Sequence, residues 1–62
     1  MISQTSPKYQ QNDSVIHKSG AILLIVDIDQ WLIEESVWVY IAMSIRTNHK
    51  VFVRENEIKL ND

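Results

Sequence analysis

Residues 37–45, Val-Trp-Val-Tyr-Ile-Ala-Met-Ser-Ile, constrain this chain more than any other stretch. Val37, Val39, Ile41 and Ile45 are β-branched and Trp38 and Tyr40 are aromatic. Both classes lose side-chain freedom against a helical turn and pack well on a pleated surface. A helix over residues 30–46 would also spread its apolar residues around most of the circumference instead of along one stripe. The stretch therefore reads as a strand. Alternation puts Val37, Val39, Ile41, Met43 and Ile45 on one face, expected to be core, and Trp38, Tyr40, Ala42 and Ser44 on the other. A strand apolar on both faces needs cover on both.

The rest of the chain supplies companions for that strand. Residues 21–29 form a second strand, with Ile22, Leu24, Val26 and Ile28 on one face and Ala21, Leu23, Ile25, Asp27 and Asp29 on the other, so that its first half is expected to be covered on both faces and its second half wet on one. A short strand at Val15-Ile16-His17 precedes it, entered by an Asn12-Asp13 turn and left through Lys18-Ser19-Gly20. Residues 30–36 turn the chain into residues 37–45, and Arg46-Thr47-Asn48-His49 turns it into a fourth strand over residues 50–54. In that strand Val51 and Val53 share one face and Phe52 takes the other. Glu55-Asn56-Glu57-Ile58 suits a single 3₁₀ turn, and Lys59-Leu60 closes with a last short strand. Residues 1–7 read as a flexible leader and residues 8–62 as one small β domain.

Composition limits how such a domain is held together. A chain of 62 residues buries only about 60% of its unfolded surface. With no cysteines, neither disulfides nor thiolate metal sites can staple it, which leaves dense packing or a partner. Apolar residues reach 45%, enough to fold. A net charge of −2 gives no general pull toward nucleic acid or anionic membranes. The N-terminus lacks the pattern of a signal peptide, and no run approaches the about 20 apolar residues of a spanning helix. A cytoplasmic location is the expectation, and a cysteine-free chain fits a reducing compartment.

Five short strands with a near-terminal 3₁₀ turn make an all-β, five-stranded small barrel. Here the chain resembles the broad SH3-like barrel group. Tyr9-Gln10-Gln11-Asn12-Asp13-Ser14-Val15 is similar to that group's opening aromatic, Gly-Asp turn and valine. Residues 51–60, Val-Phe-Val-Arg-Glu-Asn-Glu-Ile-Lys-Leu, resemble its final strand, acidic 3₁₀ turn and terminal strand. The group's usual glycine is Asn12 in this chain, a residue that also adopts the left-handed turn. Such barrels include RNA-binding modules, peptide-binding domains, small subunits of photosynthetic complexes and an oligomeric reductase, so the resemblance implies a fold and leaves function open.

The candidate sites follow from the aromatic and charged residues. Trp38 and Tyr40, with Trp31, form an exposed platform for a protein partner, or else pack over the open side of the barrel beneath the leader or residues 30–36. Both placements fit the pattern. The two-sided apolar strand makes a second copy of the chain one natural cover. Arg46, Lys50 and Arg54 with Phe52 make an alternative, nucleic-acid-binding rim, diluted by Glu55 and Glu57. His17 and His49 would need a third ligand such as Asp13, Asp27, Asp29 or Glu55 to hold a metal, and surface histidines are the simpler reading. Asp27, Asp29, Glu34 and Glu35 read as a solvated strand end and an acidic turn, and no serine has an elbow motif or a paired histidine in the sequence. The expectation is a non-catalytic interaction module without cofactor or metal, with a nucleic-acid-binding barrel next and an oligomeric enzyme with a shared site third.

Overall fold

The computed structural model describes residues 4–61. Within them the chain forms β1 (Ser14–His17), β2 (Ile22–Leu32), β3 (Val37–Ser44), β4 (Lys50–Arg54), a 3₁₀ turn (Glu55–Glu57) and β5 (Ile58–Leu60). All neighbouring strands are antiparallel, in one sheet of order β4-β3-β2-β1-β5. The sheet is not closed, and β4 and β5 are its edges. Among the described residues no helix is long and apolar enough to cross a membrane. Of the expected leader, residues 1–3 lie outside the described residues, as does Asp62 at the other end.

The expected turns fall where their residue types permit. Asn12, Asn48 and Gly20 all have positive φ, which asparagine and glycine adopt at little cost. Ser36, at the tip between β2 and β3, has a positive φ too, without the side chain that usually signals it. The β2–β3 hairpin is longer than the spacing of turn residues predicts. Trp31 pairs with Trp38 and Leu32 with Val37, so β2 runs to the edge of a short tip at residues 33–36.

The core lies on the face opposite to the one expected. Tyr9, Val15, Leu23, Ile25, Tyr40, Ala42, Val53 and Ile58 form the buried cluster, with Trp38 packed against it. On β3 this is the Trp38/Tyr40/Ala42 set; Ile41 and Met43 are partly exposed, and Ile45, beyond the strand, is 58% exposed. Val39 is buried without joining the cluster. The reason is visible in the pairing with β2. Ala42 faces Ile25, Tyr40 faces Ile28 and Trp38 faces Trp31, so each step of two on β3 corresponds to three on β2. Two bulges, between Ile25 and Asp27 and between Ile28 and Gln30, absorb the extra residues. They rephase β2 so that Leu23, Ile25, Ile28 and Trp31 share one side, a grouping that strict alternation does not contain.

This assignment is checked by two truncations in β2. Ile25 is fully buried, and Ile25→Ala should cost about 3 kcal/mol in chemical denaturation. Leu24 points the other way and is only partly buried, so Leu24→Ala should cost about 1 kcal/mol or less. Reversed costs would place the core on the opposite face, and equal costs would leave neither face as the core.

Candidate interaction surface

The inner face is a closed structural network. Tyr40 is wholly buried, and its hydroxyl donates to Glu55 Oε2 at 2.6 Å while accepting the Tyr9 backbone N–H at 3.3 Å. The Lys8 N–H reaches the same carboxylate oxygen at 3.2 Å. Tyr9 packs edge-on against Tyr40, ring centroids 5.6 Å apart, and donates its hydroxyl to the Ile58 carbonyl at 3.2 Å. Burial, reinforced by the hydrogen bond to Glu55, pushes the Tyr40 phenol well above its usual range; burial and the Glu55 charge raise Tyr9 as well. Both phenols are hydrogen-bond donors fixed in a structural role.

The two tryptophans sit at the hairpin end of the same face. Trp31 and Trp38 meet edge-on, centroids 5.6 Å apart, and Trp38 Nε1 donates to the Thr5 carbonyl at 2.7 Å. Of the two placements open in the sequence, the structure adopts packing beneath the N-terminal segment. Trp38 and Tyr40 thus form no exposed platform: Tyr40 has no accessible surface and Trp38 is partly buried. Trp31 is also partly buried.

What the sheet presents to the outside is its other face. Directly opposed residues in an antiparallel ladder share a side, and the pairs Ile16–Ile22, Leu24–Met43 and Ile41–Phe52 line up on it across four strands. Phe52 is 70% exposed and Ile22 39% exposed. The other four are partly exposed, and among the described residues no second sheet lies over them. The border carries charge. Lys50 stands opposite Met43, Arg54 opposite Val39, Lys59 opposite Ile16 and Asp27 opposite Ile41. An open depression of about 310 Å³ lies between Leu32, Val39, Phe52 and Arg54.

The alternative rim is brought together only in part. Lys50, Phe52 and Arg54 alternate along β4 and share the outer face, whereas Arg46 lies in the turn before β4. Arg54 is already engaged, since its Nε and Nη2 donate to the two oxygens of Glu35 at 2.8 and 3.3 Å. That bond raises the Arg54 pKa further and ties the hairpin tip to the end of β4.

One pairing was not legible in the sequence. Ser19 Oγ lies 2.9 Å from His17 Nδ1, and His17 Nε2 lies 3.9 Å from Glu57 Oε1. The order serine, histidine, carboxylate invites a nucleophilic reading, but the Ser19 backbone N–H also donates to Nδ1 at 3.1 Å. That bond occupies the lone pair a general base would use, and 3.9 Å is beyond hydrogen-bond reach. Glu57 in turn accepts the Arg54 N–H at 3.0 Å, which is the main cause of its lowered pKa, and approaches Lys18 at 3.4 Å. The arrangement fastens the β1–β2 turn, which Gly20 N–H closes onto the His17 carbonyl. Among the described residues no three histidine or acidic side chains gather as a metal site. No protein-family model matches the chain, and no curated protein or solved structure matches it either.

The two faces should respond differently to polar-for-apolar exchange. Tyr40→Phe removes a hydrogen bond to a buried-side carboxylate and should cost about 2 kcal/mol. Phe52→Ser, on a position exposed in the single chain, should change the stability of the unassociated chain by no more than about 0.5 kcal/mol. Denaturation midpoints of the two variants measure both.

Proposed function

We propose that this chain is a non-catalytic protein-interaction module, a small subunit or adaptor, which docks through the outer face of its sheet. The observation that carries the reading is the apolar surface formed by Ile16, Ile22, Leu24, Ile41, Met43 and Phe52, continuous across four strands and only partly shielded by the described residues. Contiguous apolar surface rimmed by charge is where soluble proteins meet partners. The chemistry-bearing groups, by contrast, are consumed in structural bonds: Tyr40 to Glu55, Tyr9 to Ile58, His17 to Ser19 and Arg54 to Glu35.

The same reading treats the fold as an SH3-like barrel left open between β4 and β5. Its support is the strand order, with β1 between β2 and β5, and the passage from β4 through an acidic 3₁₀ turn into a short terminal strand. A cytoplasmic place of work suits a chain without cysteine.

A second reading, binding of single-stranded nucleic acid, is favoured by one observation: Lys50, Phe52 and Arg54 share the outer face of β4, a stacking ring between two cations. Against it, Glu35 neutralises Arg54, and Asp27 lies on the same face as Phe52, two strands away.

The two readings separate in one experiment. Tagged protein is used to capture partners from its native lysate with and without nuclease, alongside Phe52→Ser. A protein that stays bound after nuclease and is lost with Phe52→Ser supports the interaction module. Material that disappears with nuclease, and whose binding falls steeply with salt, replaces it with the second reading. Capture indifferent to Phe52→Ser removes the outer face from both.

A further inference from the structure

We infer that the outer face is covered by a second copy of this chain, packed face to face about a two-fold axis and locked by reciprocal Asp27–Lys50 ion pairs. The inference rests on the interaction-module reading and gives its surface a specific occupant.

Charge placement is the first ground. Asp27 stands directly opposite Ile41 on the β2 side, and Lys50 directly opposite Met43 on the β4 side. These two charges therefore flank the Ile41–Met43 row diagonally. Strands lie about 4.8 Å apart and alternate residues on one strand about 6.8 Å apart. With those spacings, a two-fold axis passing between Ile41 and Met43, in the plane of the contact, carries Asp27 onto Lys50 of the facing copy and Lys50 onto Asp27. The same operation sets Phe52 against Ile41 and Met43 against Leu24, so that apolar meets apolar within the charged pairs. Among the described residues neither Asp27 nor Lys50 makes an ion pair, and Asp27 Oδ1 accepts the Ile28 N–H at 2.8 Å. A surface of this kind is self-complementary, as a two-fold interface must be.

Exposed apolar surface is the second ground: Phe52 is 70% exposed and Ile22 39% exposed, and both lie on this face with Leu24, Ile41 and Met43. Two sheets stacked through such faces form the sandwich that single sheets otherwise lack.

Edge-to-edge pairing is the competing arrangement, and it is disfavoured by charge. Two antiparallel β4 strands centred on Phe52 would place Lys50 opposite Arg54 at both ends.

The test is a charge-swap series on the full chain, read by sedimentation at tens of micromolar. The unmodified protein should sediment as a dimer. Asp27→Lys alone sets lysine against Lys50, and Lys50→Asp alone sets aspartate against Asp27, so each should weaken self-association by roughly tenfold or more. Mixing the two single variants should restore a dimer, because every facing pair is then opposite in sign. The double variant should dimerise on its own. A monomeric parent, single variants that dimerise like the parent, or a mixture that stays monomeric would overturn the inference. Recovery on mixing also shows that both variants are folded. If the charge series fails while Phe52→Ser still abolishes capture of a different protein, the second copy is wrong and the interaction module stands.

Discussion

The hydroxyl of Tyr40 is the point on which the architecture turns. A phenol with no accessible surface must have partners, because an unpaired buried hydroxyl costs more than a paired one contributes. Here the partners come from two segments distant in sequence. The Tyr9 N–H arrives from the N-terminal segment and the Glu55 carboxylate from the 3₁₀ turn, while the ring itself belongs to β3. Fixing that oxygen fixes where the chain enters the fold and where it leaves β4. Tyr9 then lies edge-on against Tyr40, and its own hydroxyl reaches the first residue of β5. The short strand β5 is thereby held beside β1 by more than its ladder bonds.

This knot decides which face of the sheet becomes core. Tyr40 and Ala42 point inward, so Leu23, Ile25, Val15 and Val53 gather around them. Ile41 and Met43 necessarily point out. The described residues cover the outer aliphatics only in part, and the area still exposed stabilises the protein only when something else removes it from water. In a chain of 62 residues with a cluster of eight buried residues and no covalent staple, that uncovered area is a large share of what burial can still contribute.

Much of the fold is legible in the residues. The β-branched and aromatic density of residues 37–45 marks β3, the positive-φ positions Asn12, Gly20 and Asn48 mark turns, and the acidic 55–57 segment marks the 3₁₀ turn. The identity of the core face is not. On β3 both alternating sets are apolar, so periodicity has no contrast to read. On β2 the two bulges break the period without any glycine or proline to announce them, and Ile28 and Trp31 join Leu23 and Ile25 on one side. The hydrogen-bonding needs of Tyr40 and Trp38 are the signal that could have found the answer. Glu55 and the backbone of residues 5–9 are able to meet those needs only from the inner side. The pattern leaves the placement of the large aromatics open for the same reason: Trp38 and Tyr40 invite an interface reading, yet in this chain they pack inward, and Phe52 is the exposed ring.

The placement of charge explains why an open sheet of this kind need not associate through its edges. Unpaired edge strands are templates for further pairing unless something blunts them. The edge strand β4 begins with Lys50 and ends with Arg54, β5 carries Lys59, and β5 is only three residues long. Lysines at edges and short edge strands both oppose sheet extension. The outer face has no such guard at its centre, where Leu24, Met43, Ile41 and Phe52 adjoin one another without an intervening charge. Charge is thus set against association at the open edges, where it would propagate, and is absent from the centre of the outer face.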